Sequence, residues 1–357
     1  MKLRGASLQL CLILLTVPAL RAATFGRSVA LPGGASDIVL DERRNQVYLP
    51  QPLLNQVQVY SLARNSFSAP ITTDATPLSA ALSRDGSVLY VACYDDTSIE
   101  TINLTTLAIT ARTKLPAKPE AVAVGADGRV LITTVGASGT NTLLLYNPTT
   151  SALQAVTTAP PVANPPTLPP PAGRPFLAAR SQLTATRDGK TIVGVNAPNG
   201  NPVAFVFEAA SGTVLRSRII AGSSTTISVS DDGTRFMAGV NLFDATSMQI
   251  LAQENLQNAP FPVTPGTNFN VQTAQGGSVF SPDSQTLYAA FDVAAVGAAP
   301  NTAQLLLNDP DNLLIRMGLQ LPENLAGKMV ISADGANAYA LSDLGRSEEH
   351  TSELQSH

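Results

Sequence analysis

A unit of about 42 residues recurs along the chain, and no other feature restricts its fold so strongly. The clearest copy is Leu82-Ser83-Arg84-Asp85-Gly86-Ser87-Val88-Leu89-Tyr90-Val91-Ala92, followed by Val124-Gly125-Ala126-Asp127-Gly128-Arg129-Val130-Leu131-Ile132. An earlier copy lacks the glycine and ends at Val47-Tyr48-Leu49. Tyr48 and Tyr90 stand 42 residues apart, and so do Asp85 and Asp127. A fixed period of this size marks a fold in which each unit buries its apolar faces only against its neighbours.

The unit has room for four short strands. A turn signal recurs at Asp85-Gly86, Asp127-Gly128, Asp188-Gly189, Asp232-Gly233, Pro282-Asp283-Ser284 and Asp334-Gly335, with Glu42-Arg43-Arg44-Asn45 as a degenerate first copy. Glycine suits such hairpins because it adopts positive φ without steric cost. An apolar strand follows each turn, as in Val88 to Ala92 or Thr191 to Val195, and third strands are expected at Gln56–Tyr60, Ile99–Ile102, Thr142–Tyr146 and Val203–Phe207. Four-stranded antiparallel units of this length are propeller blades. The fold expected is therefore an all-β propeller of seven blades, the seventh cut short. Leu31 to Leu40 resembles Leu115 to Val124 at an offset of two repeats, so Phe25 to Leu31 reads as a fourth strand that closes the last blade.

The two ends read differently from the middle. Residues 1–22 carry Lys2 and Arg4, an apolar run from Leu8 to Leu20 and small residues at Ala19 and Ala22, the pattern of a secretory signal. That run is too short for a bilayer span, which needs about 20 residues. Residues 24–345 form the propeller. Residues 346–357, Arg-Ser-Glu-Glu-His-Thr-Ser-Glu-Leu-Gln-Ser-His, match the in-frame translation of a common sequencing adapter and are set aside from the fold. On this reading the last blade lacks its third strand.

Both histidines of the chain, His350 and His357, lie in that tail. Residues 23–345 hold one cysteine, Cys93, and neither histidine nor tryptophan. Triads, Cys-His pairs and His-ligated metal sites are thereby excluded from the propeller region, and no cofactor or metal is expected. A single cysteine has no disulfide partner, so Cys93 reads as a small residue packed at a strand end. The formal charge of −4 becomes about −5 without the leader and the tail, with no basic run, which argues against nucleic acid as a partner.

The residues Asp85-Gly86-Ser87-Val88-Leu89-Tyr90-Val91-Ala92, and less closely Ser281-Pro282-Asp283-Ser284 with Leu287-Tyr288-Ala289-Ala290, resemble the bacterial YVTN-type (WD-like) β-propeller repeat. The resemblance covers about residues 24–345. It implies fold far more than function, since such propellers serve as scaffolds, surface proteins and enzymes.

Strand alternation places the second-to-third loops and the loops between blades on one face. The insertions Thr158–Pro175, Asn258–Gln275 and Asp292–Thr302 belong to those classes, as does the short loop Tyr94-Asp95-Asp96. Loops on a rigid scaffold are where binding concentrates, so Tyr94, Asp95 and Asp96 are the candidate site residues. Asp95-Asp96 and Asp231-Asp232 lack the ligand spacing of a calcium loop and read as solvated turns. The function expected is an exported, secreted, periplasmic or cell-surface monomeric scaffold that binds a protein or surface ligand without catalysis. The alternative is a lactonase-like or quinoprotein-like enzyme working without histidine. A buried ionisable cluster facing the channel would favour the enzyme, and an apolar channel with Ser and Thr would favour the binder.

Overall fold

The computed structural model describes residues 26–135, 142–156, 181–196, 203–220, 226–254, 271–295, 302–321, 323, 325–342 and 350–355. The secretory-signal segment and the Pro-rich insertion Thr158–Pro175 lie outside these residues. Every element described is a β-strand, and among the described residues no helix is long and apolar enough to cross a membrane.

The seven units expected from the sequence resolve into six blades of one continuous stretch each, not seven, plus a composite sheet that closes the ring. Blade 1 consists of Val39–Asp41, Gln46–Gln51, Gln56–Ser61 and the two short strands Ser66–Phe67 and Ile71–Thr72, both paired with the third strand. Blade 2 takes Pro77–Leu82, Val88–Cys93, Ser98–Asn103 and Ala108–Lys114. Blade 3 takes Lys118–Val124, Val130–Val135, Thr142–Asn147 and Ala152–Val156. Blade 4 runs from Ser181–Ala185 through Thr191–Asn196 and Val203–Glu208 to Thr213–Ile219. Blade 5 is the shortest, with Ile227–Val229, Arg235–Ala238, Asn241–Asp244 and Ile250–Gln253. Blade 6 is the longest: Val271–Phe280, Leu287–Ala295, Thr302–Asn308 and Ile315–Gln320.

The closing sheet has the order Leu325–Ile331, Asn337–Ser342, His350–Gln355, Arg27–Ala30. The N-terminal strand thus completes the last sheet, as expected. The expectation of a missing third strand is corrected: His350–Gln355 occupies that place, with Tyr339 opposite Glu353 and Val29 opposite Thr351. An open edge presents a row of unpaired N–H and C=O groups, and any extended segment within reach satisfies them whatever its side chains.

Two further expectations shift. Residues 271–275 and 292–295 were expected in loops, yet they extend the first hairpin of blade 6, with Val271 opposite Ala295. The ladder is interrupted between Gln275 and Ser278, where Gly276 and Gly277 lie against the closing sheet. A Cβ on Gly277 would come within 2.9 Å of the Gly327 carbonyl, so only glycine permits that approach.

The core consists of layers between neighbouring blades rather than one centre. Leu89, Val91, Cys93 and Ile102 of blade 2 meet Val39, Tyr48, Val57 and Val59 of blade 1. Tyr339 and Leu341 of the closing sheet meet Ile38, Val47 and Leu49, so the ring is shut by apolar packing as well as by strand pairing. Each layer joins second and third strands whose side chains alternate between two buried faces, which is why these segments read as nearly unbroken apolar runs.

The hairpin turns share one chemistry. In Ser83-Arg84-Asp85-Gly86-Ser87, the Ser83 hydroxyl donates to Asp85 and accepts from the Val88 N–H, while the Ser87 N–H donates to Asp85. The same bonds recur at Thr186-Asp188, Ser230-Asp232, Ser281-Asp283 and Ser332-Asp334. The residue after each aspartate takes positive φ, a glycine in four of the five turns, as at Gly86 with 64°, and Ser284 with 56° in the other. The aspartates of these turns are consequently structural acceptors. The Ser83 hydroxyl, with the Ser87 N–H and hydroxyl, holds Asp85 at about 2, and the Lys190 N–H, with the Lys190 amine and the Thr186 hydroxyl, holds Asp188 at about 2.

Candidate functional site

The loop Tyr94-Asp95-Asp96 joins the second and third strands of blade 2, next to the chain entering that blade's inner strand. The Tyr94 N–H donates to the Thr76 carbonyl at 2.9 Å, and Thr97 turns the chain with φ 52°. Asp95 accepts from the Thr76 hydroxyl and pairs with Lys118 of blade 3 at 2.8 Å. These bonds depress the Asp95 carboxyl below the usual carboxylate range, the Lys118 bond contributing most. Lys118 also lies 4.7 Å above the Tyr94 ring, a cation–π contact. Asp96 accepts from the Ala75 N–H, and the Lys114 amine donates to the Asp96 carbonyl at 2.7 Å. The three predicted residues are thus brought together, partly exposed, at the boundary of blades 2 and 3. They form no metal-binding cluster: Asp95 is taken up by Thr76 and Lys118, and Asp96 by the Ala75 N–H. Asp231-Asp232 likewise splits, Asp231 pairing with Arg187 at 2.8 Å and Asp232 serving its own turn. Among the described residues no three His, Cys, Asp or Glu side chains cluster closely enough for a metal ion.

Beneath this loop lies a buried ion group that sequence reading missed. Glu100, fully buried, accepts from Arg112 at 2.9 Å and from the Asp74 N–H at 3.2 Å, and Arg112 also reaches Asp74 at 3.1 Å. Burial, and next the Asp74 charge, push the Glu100 carboxyl up. Cys93, at the end of the neighbouring strand as expected, is buried, and burial raises its thiol far above the ordinary value.

At the axis, the inner strands of all six blades and of the closing sheet line a cavity of about 320 Å³. Most residues lining it are apolar, among them Val39, Ala81, Val122 and Val229, with Thr184, Ser228 and Lys328 between them. Glu42, Arg84, Arg187 and Asp231 stand at the hairpin end. These charged groups brace one blade against another. Arg44 donates to the Gly86 carbonyl at 2.6 Å, Arg84 to the Arg187 carbonyl, and the Ala333 N–H to Glu42 at 2.7 Å.

At the other end a second set of struts runs between inner strands. Asp37, 6% exposed, accepts from the Ile38 N–H at 2.8 Å, the Ser79 hydroxyl at 2.7 Å and the Ala80 N–H at 3.1 Å. Lys328 of the closing sheet completes its shell at 3.3 Å. Ser181 donates to Glu120 at 2.8 Å, and Ser228 and Ser278 share a bond of 2.7 Å. A carboxylate just before an apolar inner strand, as in Ser36-Asp37-Ile38, was the available sequence signal, but its partners lie one repeat or the whole ring away.

No protein-family model matches the chain, and no curated protein matches it. Solved structures do. Hydrazine synthase of Kuenenia stuttgartiensis superposes with a TM-score of 0.64 at 14% identity, over 92% of this chain and 97% of that one. The Cps50 (Swd1) β-propeller domain of Myceliophteria thermophila gives 0.62 at 11% identity, over 93% and 99%. The chain is a β-propeller. At these identities the likeness extends to the fold alone.

Proposed function

We propose that the chain is an exported, non-catalytic propeller of the YVTN-like kind, which presents the face around Tyr94, Asp95 and Asp96 to a protein or surface ligand. The observation that carries this reading is the use made of the polar groups around the axis. Asp37, Glu42, Arg84, Arg187, Asp231 and Lys328 all join one blade to another, so the chemistry that an enzyme would direct at a substrate holds the ring together here. The Tyr94 ring and the Asp95–Lys118 pair are, by contrast, half open to solvent on a rigid blade boundary. An aromatic ring with fixed charges beside it is a favourable contact surface for a polar partner.

The test is retention of the purified chain on envelope proteins and surface polysaccharides, comparing the native chain with a Tyr94→Ala, Asp95→Ala, Lys118→Ala variant. Saturable retention by the native chain and a loss of tenfold or more in the variant is expected. Equal retention moves the site off this face. Turnover of lactone substrates by the native chain overturns the non-catalytic reading.

A further inference from the structure

The contact between blades 5 and 6 buries a different kind of polar group from the others. Blade 6 turns Gln304, Leu306 and Asn308 of its third strand toward blade 5, where Leu306 packs with Met237 and Leu242. Gln304 and Asn308 have no solvent exposure. Glu254 follows the outer strand of blade 5, tied by its N–H to the Val240 carbonyl at 2.8 Å, and is 6% exposed. The Asn308 amide donates to Glu254 Oε2 at 2.9 Å. Beyond that bond Glu254 Oε1, Asn308 Oδ1 and both amide atoms of Gln304 have no hydrogen-bond partner among the described residues. Leaving a buried polar atom unbonded is destabilising, and a buried carboxylate without a cation is more so.

Two other deeply buried acids of the ring have what Glu254 lacks: Asp37 has Lys328, and Glu100 has Arg112. The charged groups on the strands packed around Glu254 are engaged at the hairpin face. Arg235 binds Asp311 and the Pro310 carbonyl, Arg316 binds Asp309 and the Gln285 carbonyl, and Asp244 caps the turn at Ser247. Among the described residues no ion pair reaches the Glu254 carboxyl.

We infer that Glu254 is a proton-binding site within the contact of blades 5 and 6, filled at neutral pH, and that losing its proton loosens this contact. A neutral carboxylic acid is the form such surroundings tolerate. Burial alone pushes the group up to about 8. In the unfolded chain it titrates near 4.5. The folded state therefore holds the proton more tightly. The stability it confers is complete below pH 4.5, falls about tenfold in folding constant per pH unit up to about 8, and is level above that. In the deprotonated state two strands of the ring meet across an uncompensated charge, which opens the route for solvent into that layer.

The experiment follows urea unfolding of the full chain from pH 5 to 9, with chelator present, for the native protein and for Glu254→Gln, whose amide never ionises. The native midpoint is expected to fall relative to the variant between pH 5 and 8 and then to run parallel. The infrared carbonyl band of a protonated carboxyl, measured on the native protein at pH 7 and lost with a midpoint near 8, reads the same group without any variant. Parallel midpoints throughout, or absence of that band at pH 7, overturns the inference. So does stabilisation at pH 8 by sodium, potassium or calcium that Glu254→Gln abolishes, since the occupant would then be a metal cation.

Discussion

Replacing Asp37 by alanine tests how the ring is closed. The substitution strands four donors at once: the Ile38 and Ala80 N–H groups, the Ser79 hydroxyl and the Lys328 ammonium. They come from blade 1, blade 2 and the closing sheet, so the loss falls on both sides of the first blade. Removing one partner of a buried ion pair costs about 3–5 kcal/mol. Lys328 lines the axial cavity and can turn to water, which places the expected loss near the lower part of that range. At about 2 °C per kcal/mol for a domain of this size, the melting temperature should fall by roughly 6–8 °C. Asp37→Asn keeps the shape and one acceptor, and should lie between native and alanine. Thermal unfolding followed by circular dichroism, with Lys328→Met and the double variant, closes a cycle in which the coupling should exceed about 1 kcal/mol. A fall of under about 2 °C for Asp37→Ala, or additive effects in the cycle, would show that apolar packing alone closes the ring.

Three shorter expectations follow from the same geometry. Gly194→Ala places a methyl group against the Phe205 ring and within 2.7 Å of Leu183, so it should destabilise by about 1–3 kcal/mol; unchanged urea unfolding would refute this tight packing of blade 4. Arg112→Ala leaves Glu100 buried beside Asp74 without its cation, and because Glu100 can then take up a proton, the drop in melting temperature should be larger at pH 8 than at pH 5. Equal drops at the two pH values would mean that Arg112 acts through packing alone. The Cys93 thiol should resist aromatic disulfide reagents in the folded protein and react fully in denaturant; rapid labelling of the native state would contradict its burial.

Much of the blade plan was legible because its signals are local. An Asp-Gly pair turns the chain within four residues, and the strands after it alternate between two apolar layers. The third strands at Gln56, Ile99, Thr142 and Val203 accordingly begin where they were expected or within one residue. The place of Tyr94-Asp95-Asp96 between a second and a third strand was legible too, since strand order in the unit decides which connection it is. What stayed hidden was partnership. Nothing near Glu254 in sequence announces Asn308, and nothing near Asp37 announces Lys328, because each pair is made by the stacking of blades. The closing strand was foreseen from an offset of two repeats, whereas the strand His350–Gln355 was not, since edge pairing uses backbone groups that every residue carries.

By itself, then, the sequence determined the repeating hairpins and which residues face the apolar layers, both consequences of period, turn chemistry and alternation. Only the tertiary structure decided that six units stand as continuous blades while the last sheet is assembled from both ends of the chain. It alone decided that acids near the axis act as struts and that Glu254 is buried with no ion pair among the described residues. Those outcomes depend on groups tens to hundreds of residues apart meeting at one point, and pairing of that kind leaves no mark on the local pattern.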